Sequence, residues 1–373
     1  MAPRHRGRRG VAAALLLLVA ACAESAQTAP AANDCRSVAV YDERGARVAG
    51  IEDMAVDHAR GLVYLSAHDR RAVAHERRTG TGPVTTGGLY IMAVSPDRRP
   101  DGSVRRLQLP DGRAVRPHGI ALGAATGEGR NLYVIDRLYD RRDGDWILTP
   151  QHLVIGLDAT GRRARRAESS ALPQDLCSPN DLAAGKDALY VTNDHGACNG
   201  AARVLEDVLA LSAAFVTRLD RGGATRVAGD LAFANGIALD AAGGVLTVAE
   251  TRAGVVSRIG LGEDGARHRI SLPGAPDNIT RAGDGSLIVA LHPDLLRFAA
   301  FRAGWSGARH APSRVVRLRV DSAGEATVTR LFDDPGGRFV AGATAAAAVK
   351  GWLLIAGGYG DRMVVCRLAE EGA

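Results

Sequence analysis

Residues 178–182 read Ser-Pro-Asn-Asp-Leu, and residues 189–195 read Leu-Tyr-Val-Thr-Asn-Asp-His. The oxygen-bearing side chains of Asn180 and Asp181 thus precede a short apolar run, and a turn leads to a second run that ends in polar residues. Short runs of β-branched, aromatic and apolar residues, bounded by turn residues, are typical of β-strands. The stretch therefore predicts a strand–turn–strand unit with a polar cluster at one end.

The same unit recurs along the chain, about 43 to 66 residues apart. Its other copies begin at Glu52-Asp53, His118-Gly119, Asn235-Gly236, Asp277-Asn278 and, in a degraded form, Ala343-Thr344. Repeats of this length indicate one repeat fold and not separate domains. Short-stranded blades around a central channel form a β-propeller. We therefore predict one all-β domain over residues 35–373, a six-bladed β-propeller closed by pairing of its N- and C-terminal strands.

Radial repetition would bring the polar position of every blade to one end of the axis. These residues are Glu52, Asp53, His118, Asn180, Asp181, Asn235, Asp277 and Asn278. Carboxylate and amide oxygens are the ligands that Ca²⁺ prefers, and the ion takes about six to eight of them. In any single copy, Asn and Asp could instead cap a turn. Five copies in register favour a shared metal site.

The N-terminal residues have the pattern of an export signal. Four arginines within residues 1–10 precede the apolar run Val11–Ala21, which is too short for a stable membrane span. Residues 19–22, Val-Ala-Ala-Cys, resemble a bacterial lipoprotein cleavage site. We predict a signal peptide over residues 1–21, a lipid on Cys22 and a tether over residues 22–34. The protein would then be exported, as a periplasmic or outer-membrane-anchored lipoprotein in contact with the membrane through its lipid; ordinary cleavage after Ala23 is the alternative.

Charge and motifs exclude two classes of function. The net charge of +6 falls to about +2 when the four signal arginines are removed, since 6 − 4 = 2. The basic residues are spread along the chain without interleaved aromatic residues, so we expect no nucleic-acid partner. No Gly-x-Ser-x-Gly sequence is present, which argues against a serine esterase of the usual α/β type.

One segment departs from the strand pattern. Apolar residues recur at helical spacing at Val204, Leu205, Val208, Leu209 and Leu211. The segment follows the third polar motif, where an insertion would pass over the mouth of the channel. Two interpretations remain open: a helix packed on the blade surface, or a lid lined with apolar side chains that favours lipophilic substrates.

The ordered set of motifs resembles the paraoxonase/arylesterase family. The resemblance is carried by residues 117–120 (PHGI), 180–181 (ND), 192–195 (TNDH), 233–237 (FANGI), 277–279 (DNI) and 292–293 (HP). Their order and approximate spacing agree over nearly the whole chain after residue 34. Gluconolactonase-like and strictosidine-synthase-like propellers are similar in layout but share fewer motifs. The resemblance implies a calcium-dependent hydrolase whose small-molecule substrates are lactones and aryl esters.

The resemblance also implies two calcium ions. A catalytic Ca²⁺ would be bound by Glu52, Asn180, Asn235, Asp277 and Asn278. A structural Ca²⁺ would be bound by Asp53, Asp181 and the main-chain carbonyl of Ile120. The two carboxylates of the first set balance the charge of the metal and leave coordination positions open for substrate or water. Such an ion polarises an ester carbonyl.

His118 is the candidate base, because an unperturbed imidazole has a pKa of about 6.5. Members of the family often pair this histidine with a second one. The matching position here is Arg137, which cannot accept a proton, so the pair is absent unless Asp136 orients His118. The resemblance assigns three more residues to the pocket: Asp194, His195 and His292.

The five cysteines permit two disulfides. If Cys22 carries lipid, four remain and allow three pairings. A bridge between Cys35 and Cys366 would fasten the closure of the ring, and the similar terminal disulfide of paraoxonases strengthens this pairing. Cys177 and Cys198 then remain and would form the second bridge beside the third polar motif.

Two rival functions differ in class from a calcium-dependent hydrolase. The first is a catalytically silent propeller that binds a partner and holds calcium as a structural plug; the missing second histidine favours it, whereas the retained metal ligands argue against it. The second is a metal-free enzyme of the strictosidine-synthase-like kind. Hydrolysis of esters and lactones with and without a chelator distinguishes all three.

Overall fold

The computed structural model describes residues 32–80, 82, 85–142, 145–262 and 265–369. The predicted signal peptide and Cys22 lie outside the described residues, as does the tether up to residue 31. Residues 32–34 belong to the first strand, β1 (Ala32–Ala39). No helix in the described part of the chain is long and apolar enough to cross a membrane.

The described strands form six antiparallel sheets of four strands each, which are the blades. Blade 1 comprises β2 (Ile51–Asp57), β3 (Leu62–Ala67), β4 (Gly88–Ala93) and β5 (Arg105–Arg106). Blade 2 comprises β6 (Pro117–Leu122), β7 (Arg130–Arg142), β8 (Asp145–Leu157) and β9 (Ala164–Ala171). Blade 3 comprises β10 (Pro179–Ala184), β11 (Leu189–Asn193), β12 (Ala214–Asp220) and β13 (Gly223–Leu231). Blade 4 comprises β14 (Ala234–Leu239), β15 (Val245–Glu250), β16 (Val255–Gly260) and β17 (Arg267–Ser271). Blade 5 comprises β18 (Ala275–Arg281), β19 (Leu287–His292), β20 (Ser313–Val320) and β21 (Ala326–Asp334).

Blade 6 joins the two ends of the domain. It contains β22 (Ala345–Val349), β23 (Trp352–Ala356), β24 (Arg362–Leu368) and β1. Strand β1 pairs with β24, and disulfides join Cys35 to Cys366 and Cys177 to Cys198. The predicted propeller, its closure and both cysteine pairings are confirmed. Because the cytosol keeps thiols reduced, the two disulfides indicate an exported protein.

The hydrophobic core is divided into six layers, one between each pair of neighbouring blades. Leu65 of blade 1, for example, belongs to one layer with Leu354 of blade 6, and Leu89 of blade 1 belongs to another with Ile120 of blade 2. Away from the axis, each blade therefore packs on its two neighbours. This arrangement lets one domain exceed the size that a single core usually serves.

In the described part of the chain, three α-helices are inserted between the second and third strands of alternate blades, and a short 3-10 helix (Thr251–Ala253) lies at that position in blade 4. The α-helices are α1 (Arg70–Thr79) in blade 1, α2 (Gly200–Val208) in blade 3 and α3 (Leu295–Ala303) in blade 5. Asp69 and Asp294 cap α1 and α3, each accepting a main-chain hydrogen bond of 2.9 Å. In an antiparallel blade this connection lies at the same end as the start of the first strand. The helices therefore surround the end of the channel where the polar motifs lie.

Helix α2 confirms the helix predicted from the apolar spacing around residues 204–211. Its apolar residues face solvent, with Val204, Leu205 and Val208 between 53% and 73% exposed. Glu206 is buried instead, and its carboxylate accepts hydrogen bonds from the main-chain N–H groups of Gly196 and Ala197. The helix therefore packs on its blade through a polar contact, while the interpretation as an apolar-lined lid stays a prediction.

Candidate active site

Each first strand of blades 1 to 5 carries a β-bulge at its polar motif. The pairing register shifts between Ile51 and Asp53, Pro117 and Ile120, Pro179 and Leu182, Ala234 and Ile237, and Pro276 and Ile279. Blade 6, whose motif is degraded, pairs without a shift. A bulge releases residues from the ladder and redirects their side chains. The motif residues are thereby freed to face one another across the axis.

The eight polar residues of the motifs lie together at one end of the channel, and all are buried. They are Glu52, Asp53, His118, Asn180, Asp181, Asn235, Asp277 and Asn278. Contacts cross the ring: Asn278 Nδ2 donates to the main-chain carbonyl of Glu52 at 2.8 Å. The charge of Asp277 also acts on Glu52 and on Asp181, two blades away from it on either side.

Two of the aspartates bind the backbone of the following blade. Asp53 Oδ2 accepts the N–H of Ile120 at 2.7 Å, and Asp181 Oδ2 accepts the N–H of Ile237 at 2.9 Å. These bonds join blade 1 to blade 2 and blade 3 to blade 4. They also satisfy part of the hydrogen-bonding capacity of two buried carboxylates.

Glycines occupy the matching position in blades 2 and 4. A Cβ at Gly119 would lie 2.5 Å from the Cα of Asp181, and a Cβ at Gly236 would lie 2.6 Å from the Cα of Asn278. Real Cβ atoms do not approach backbone so closely. The glycines therefore let the first strands of blades 2 and 3, and of blades 4 and 5, come together at the axis.

The site has buried acceptors that suit a cation. Asn235 Oδ1 has no hydrogen-bond partner among the described residues, and Glu52 Oε2 makes no hydrogen bond there but is ion-paired with Arg70. The space beside Glu52 Oε2 is kept open by Gly358, where a Cβ would lie 2.1 Å from that oxygen. An unpaired buried acceptor costs about 1–3 kcal/mol. A hard metal ion bound to these oxygens would remove that cost, so the predicted donor set fits calcium.

The carboxylates of the site repel one another. Burial raises the pKa of Glu52, and Asp277 raises it further. Burial and the neighbouring Asp181 raise the pKa of Asp53 well above its usual range, and burial raises the pKa of Asp181 to about 7. No group of three or more His, Cys, Asp or Glu among the described residues is placed to hold a metal. Amide and main-chain oxygens would therefore have to complete the shell.

His118 lies in contact with Glu52 and with an arginine that the repeat did not predict. Its Nδ1 is 3.6 Å from Glu52 Oε1 and 2.6 Å from Arg70 Nη2. A guanidinium only donates, so Nδ1 accepts and the neutral ring carries its proton on Nε2. Burial, and then the charges of Arg137 and Arg70, hold the pKa of His118 well below its ordinary value.

His292 supports a predicted ligand. Its Nε2 lies 2.8 Å from Asp277 Oδ2, and its ring stacks on Phe298 of α3 with centroids 3.5 Å apart. Nδ1 of the same ring has no partner among the described residues. Hydrogen bonding from a histidine fixes the orientation of a metal-binding carboxylate, so α3 and His292 together position Asp277.

Asp194 and His195 connect the site to α2. Asp194 Oδ2 accepts from Asn180 Nδ2 at 3.2 Å. His195 uses both ring nitrogens, Nδ1 to Asp194 and Nε2 to Asp207 of α2 at 2.8 Å, and Arg252 also pairs with Asp207. Burial opposes the ionised form of Asp194, but the hydrogen bond from His195 prevails and lowers its pKa to about 2. Against burial, the same bond raises the pKa of His195.

Arg70 was missed because α1 was not predicted. It is the first residue of that helix, and its Nη1 lies 3.3 Å from Glu52 Oε2. The available signal was Asp69, a helix-capping residue placed directly after an apolar strand. Asp136 does not replace the missing histidine, since its Oδ1 accepts a 2.7 Å hydrogen bond from the N–H of Arg116.

The comparisons with known proteins agree with the propeller. The family model described as Arylesterase matches residues 172–368, more than half of the chain. The comparison with curated proteins gives no significant match. A luciferin-regenerating enzyme is 11% identical with a TM-score of 0.50, over 89% of this chain and 95% of that chain. A gluconolactonase from Xanthomonas campestris is 20% identical with a TM-score of 0.49, over 90% of each chain. At these identities the structural likeness concerns the fold alone.

The hydrogen bond between His195 and Asp207 of α2, here called the α2 clamp, predicts that the protection of α2 from hydrogen exchange depends on pH. The folded pKa of His195 is raised above its unfolded value of about 6.5. The stabilising charge is therefore fully present below about pH 6.5 and is lost as the pH rises through the folded pKa. Hydrogen exchange of residues 200–208, corrected for the intrinsic rate, should accelerate at pH 9 relative to pH 6, and Asp207→Asn should accelerate it at pH 6. Helix α1 is the internal control; equal protection of α2 at both pH values and in the variant contradicts the clamp.

Proposed function

The chain belongs to the arylesterase family, and from this premise we propose that it hydrolyses lactones and aryl esters with the help of bound calcium. Family membership supports a hydrolase of the esterase or lactonase type. The calcium requirement, the substrates and the roles of the residues are our proposal. They are supported by the arrangement of side chains at the axis.

The observation that carries the proposal is a pair of buried acceptors that make no hydrogen bond among the described residues, Asn235 Oδ1 and Glu52 Oε2, the second of which is ion-paired with Arg70. They come from blades 1 and 4, which lie on opposite sides of the channel. A structural role alone would be expected to leave such atoms hydrogen-bonded, since an unpaired buried acceptor is costly. Such acceptors, one of them on a carboxylate whose other oxygen lies 3.6 Å from His118 Nδ1, suit a site that binds a cation and a reacting carbonyl together.

In the proposed mechanism, a catalytic ion would be held by Glu52, Asn180, Asn235, Asp277 and Asn278, and a structural ion by Asp53, Asp181 and the carbonyl of Ile120. Calcium, when bound, would polarise the substrate carbonyl and stabilise negative charge on its oxygen. His292 orients the Asp277 carboxylate and Asp194 orients the Asn180 amide. Neither His195 ring nitrogen is free for proton transfer while the α2 clamp is closed.

His118 is the proton acceptor in this proposal, because it is the imidazole of the motif ring. Arg70 has to leave Nδ1 before that atom can take a proton from water. The hydroxyl of the water adds to the acyl carbon, and the acyl C–O bond breaks. The leaving oxygen takes up the proton held by His118, so one water is consumed for each acid and alcohol formed.

We also propose that the protein is a lipoprotein of the periplasm or outer membrane, anchored through Cys22, with no nucleic-acid partner. Its partner in catalysis is a small ester or lactone. The support is the signal-like N-terminal sequence together with the disulfides of an exported protein.

The function is tested by activity and metal content measured together. Purified protein should hydrolyse phenyl acetate and γ- or δ-lactones, and a calcium chelator should abolish turnover reversibly. Asp277→Asn should weaken calcium binding and reduce turnover, each by about tenfold or more, since even outer-shell partners of metal ligands have effects of this size.

Asp284→Asn is the matched control, because Asp284 lies in a turn of the same blade and hydrogen-bonds to Ser286. This variant should keep its calcium and its activity. A protein that binds calcium but hydrolyses neither substrate class would be the silent binding propeller. Hydrolysis without bound metal would favour the metal-free alternative.

His118→Gln tests the base. Hydrolysis should fall by about 10²-fold or more, the usual scale for loss of a general base, while calcium stays bound. Arg70→Gln frees Nδ1 of His118 and removes a charge that lowers the pKa of this imidazole. The acidic limb of the pH–rate profile of kcat/KM should therefore shift to higher pH. If His118→Gln keeps full activity, His118 is not the base, and His292, whose Nδ1 is unpartnered, becomes the next candidate.

Cys22→Ser tests the anchor. The wild-type protein should fractionate with membranes, whereas the variant should be released or left unprocessed. A wild-type mature protein that begins at Glu24 and is found wholly in the soluble periplasm is incompatible with lipidation.

A further inference from the structure

Two arginines from outside the motif ring reach the candidate active site. Arg70 opens α1 and lies 3.3 Å from Glu52 Oε2. Arg137 lies on β7 of the neighbouring blade, and its Nη2 donates to the carbonyl of Pro179 at 3.3 Å. Pro179 directly precedes the predicted ligand Asn180. The two guanidinium groups thus approach the ring of predicted ligands from adjacent blades.

Both arginines have unused donor capacity. Arg70 Nε and Arg137 Nε are buried and have no hydrogen-bond partner among the described residues. An unpaired donor on a charged group is more costly than one on a neutral group. Two such donors beside one channel indicate that the site is built to receive an acceptor with negative charge.

The charges of the site point the same way. Once Glu52 and Asp277 balance a bound calcium, as the proposed function requires, they no longer neutralise the arginines. Asp194 is already engaged by His195 and Ser178. The site would therefore carry an excess of positive charge from Arg70 and Arg137, to which Arg302 of α3 adds, since its charge also acts on Glu52 and Asp277.

We propose that Arg70 and Arg137 form a carboxylate-binding subsite, and that the preferred substrates are esters or lactones that carry a carboxylate group. The inference rests on the proposed function, because it assigns the substrate class of the same site. A guanidinium presents a planar set of donors that matches a carboxylate. One carboxylate, together with the negative charge that develops on the attacked carbonyl oxygen, balances both arginines.

The kinetic test compares 4-acetoxybenzoate with its methyl ester, with rates corrected for alkaline hydrolysis of the two compounds. In the calcium-loaded wild type, kcat/KM should favour the carboxylate by about tenfold or more, a preference worth about 1.4 kcal/mol. Arg137→Gln should bring the ratio close to one. Arg78→Gln removes the same charge from an exposed position in the last turn of α1 and should keep the wild-type ratio.

The binding test needs no turnover. Isothermal titration calorimetry of the full chain, with and without calcium, compares 4-acetamidobenzoate with its methyl ester. The wild type should bind the carboxylate at least tenfold more tightly, and both Arg137→Gln and Arg70→Gln should lose that preference. The wild-type comparison decides the question even if a variant fails to fold.

The outcomes separate the two proposals. If neither ester is hydrolysed but the carboxylate amide binds in an Arg137-dependent way, the hydrolase proposal fails and the subsite stands. If both esters are hydrolysed with a ratio near one and both amides bind alike, the subsite is wrong and the hydrolase proposal stands. A preference that persists unchanged in both Arg137→Gln and Arg70→Gln also overturns the subsite.

Discussion

Carboxylates buried at the centre of a propeller have to be compensated, and the remaining features of the molecule follow from that requirement. Glu52, Asp53, Asp181 and Asp277 lie in one narrow channel away from water. Unpaired buried charge costs several kcal/mol per ion. The protein supplies main-chain N–H groups from neighbouring blades, His292 stacked on Phe298 of α3, and Arg70 at the start of α1. The remaining oxygen ligands leave room for a divalent cation. Bulges and glycines at the same positions make these contacts geometrically possible.

The sequence predicted the fold and the motif ring because radial repetition converts spacing along the chain into position around an axis. Once six copies were aligned, the polar position at the start of each repeat had to lie at the axis, whatever the lengths of the connections. The pairing of Cys35 with Cys366 followed from the same reasoning, because the first and last strands of a closed ring lie side by side. Asn180 and Asn235 could therefore be brought together although three strand pairings and a helix separate them along the chain.

The contacts of the insertions could not be predicted in this way, because no repeat governs them. Helix α1 is held by cation–π contacts of Arg71 with Phe301 and Tyr359 on one side, and of Arg77 with Tyr139 on the other. These partners come from blades 5, 6 and 2, and nothing in the local sequence links them. Helix α2 shows the same limit: its apolar period predicted the helix, but not that the side chain it buries is Glu206. Arg70 entered the site only as part of such an insertion.

The alternation of aspartate and glycine in blades 1 to 4 gives the propeller a repeat of two blades, which the helices of blades 1, 3 and 5 extend around the axis. Blades 1 and 3 each bear a helix and an aspartate that binds the following blade, whereas blades 2 and 4 each offer a glycine and an N–H group. Blade 5 carries the third helix, and its Asn278 N–H donates to the carbonyl of Thr344 in blade 6. The structural module is thus a pair of blades, repeated three times. Circular permutation that opens the chain between modules would preserve every carboxylate–amide bond within a module, whereas a new terminus inside a module would separate its two halves along the chain.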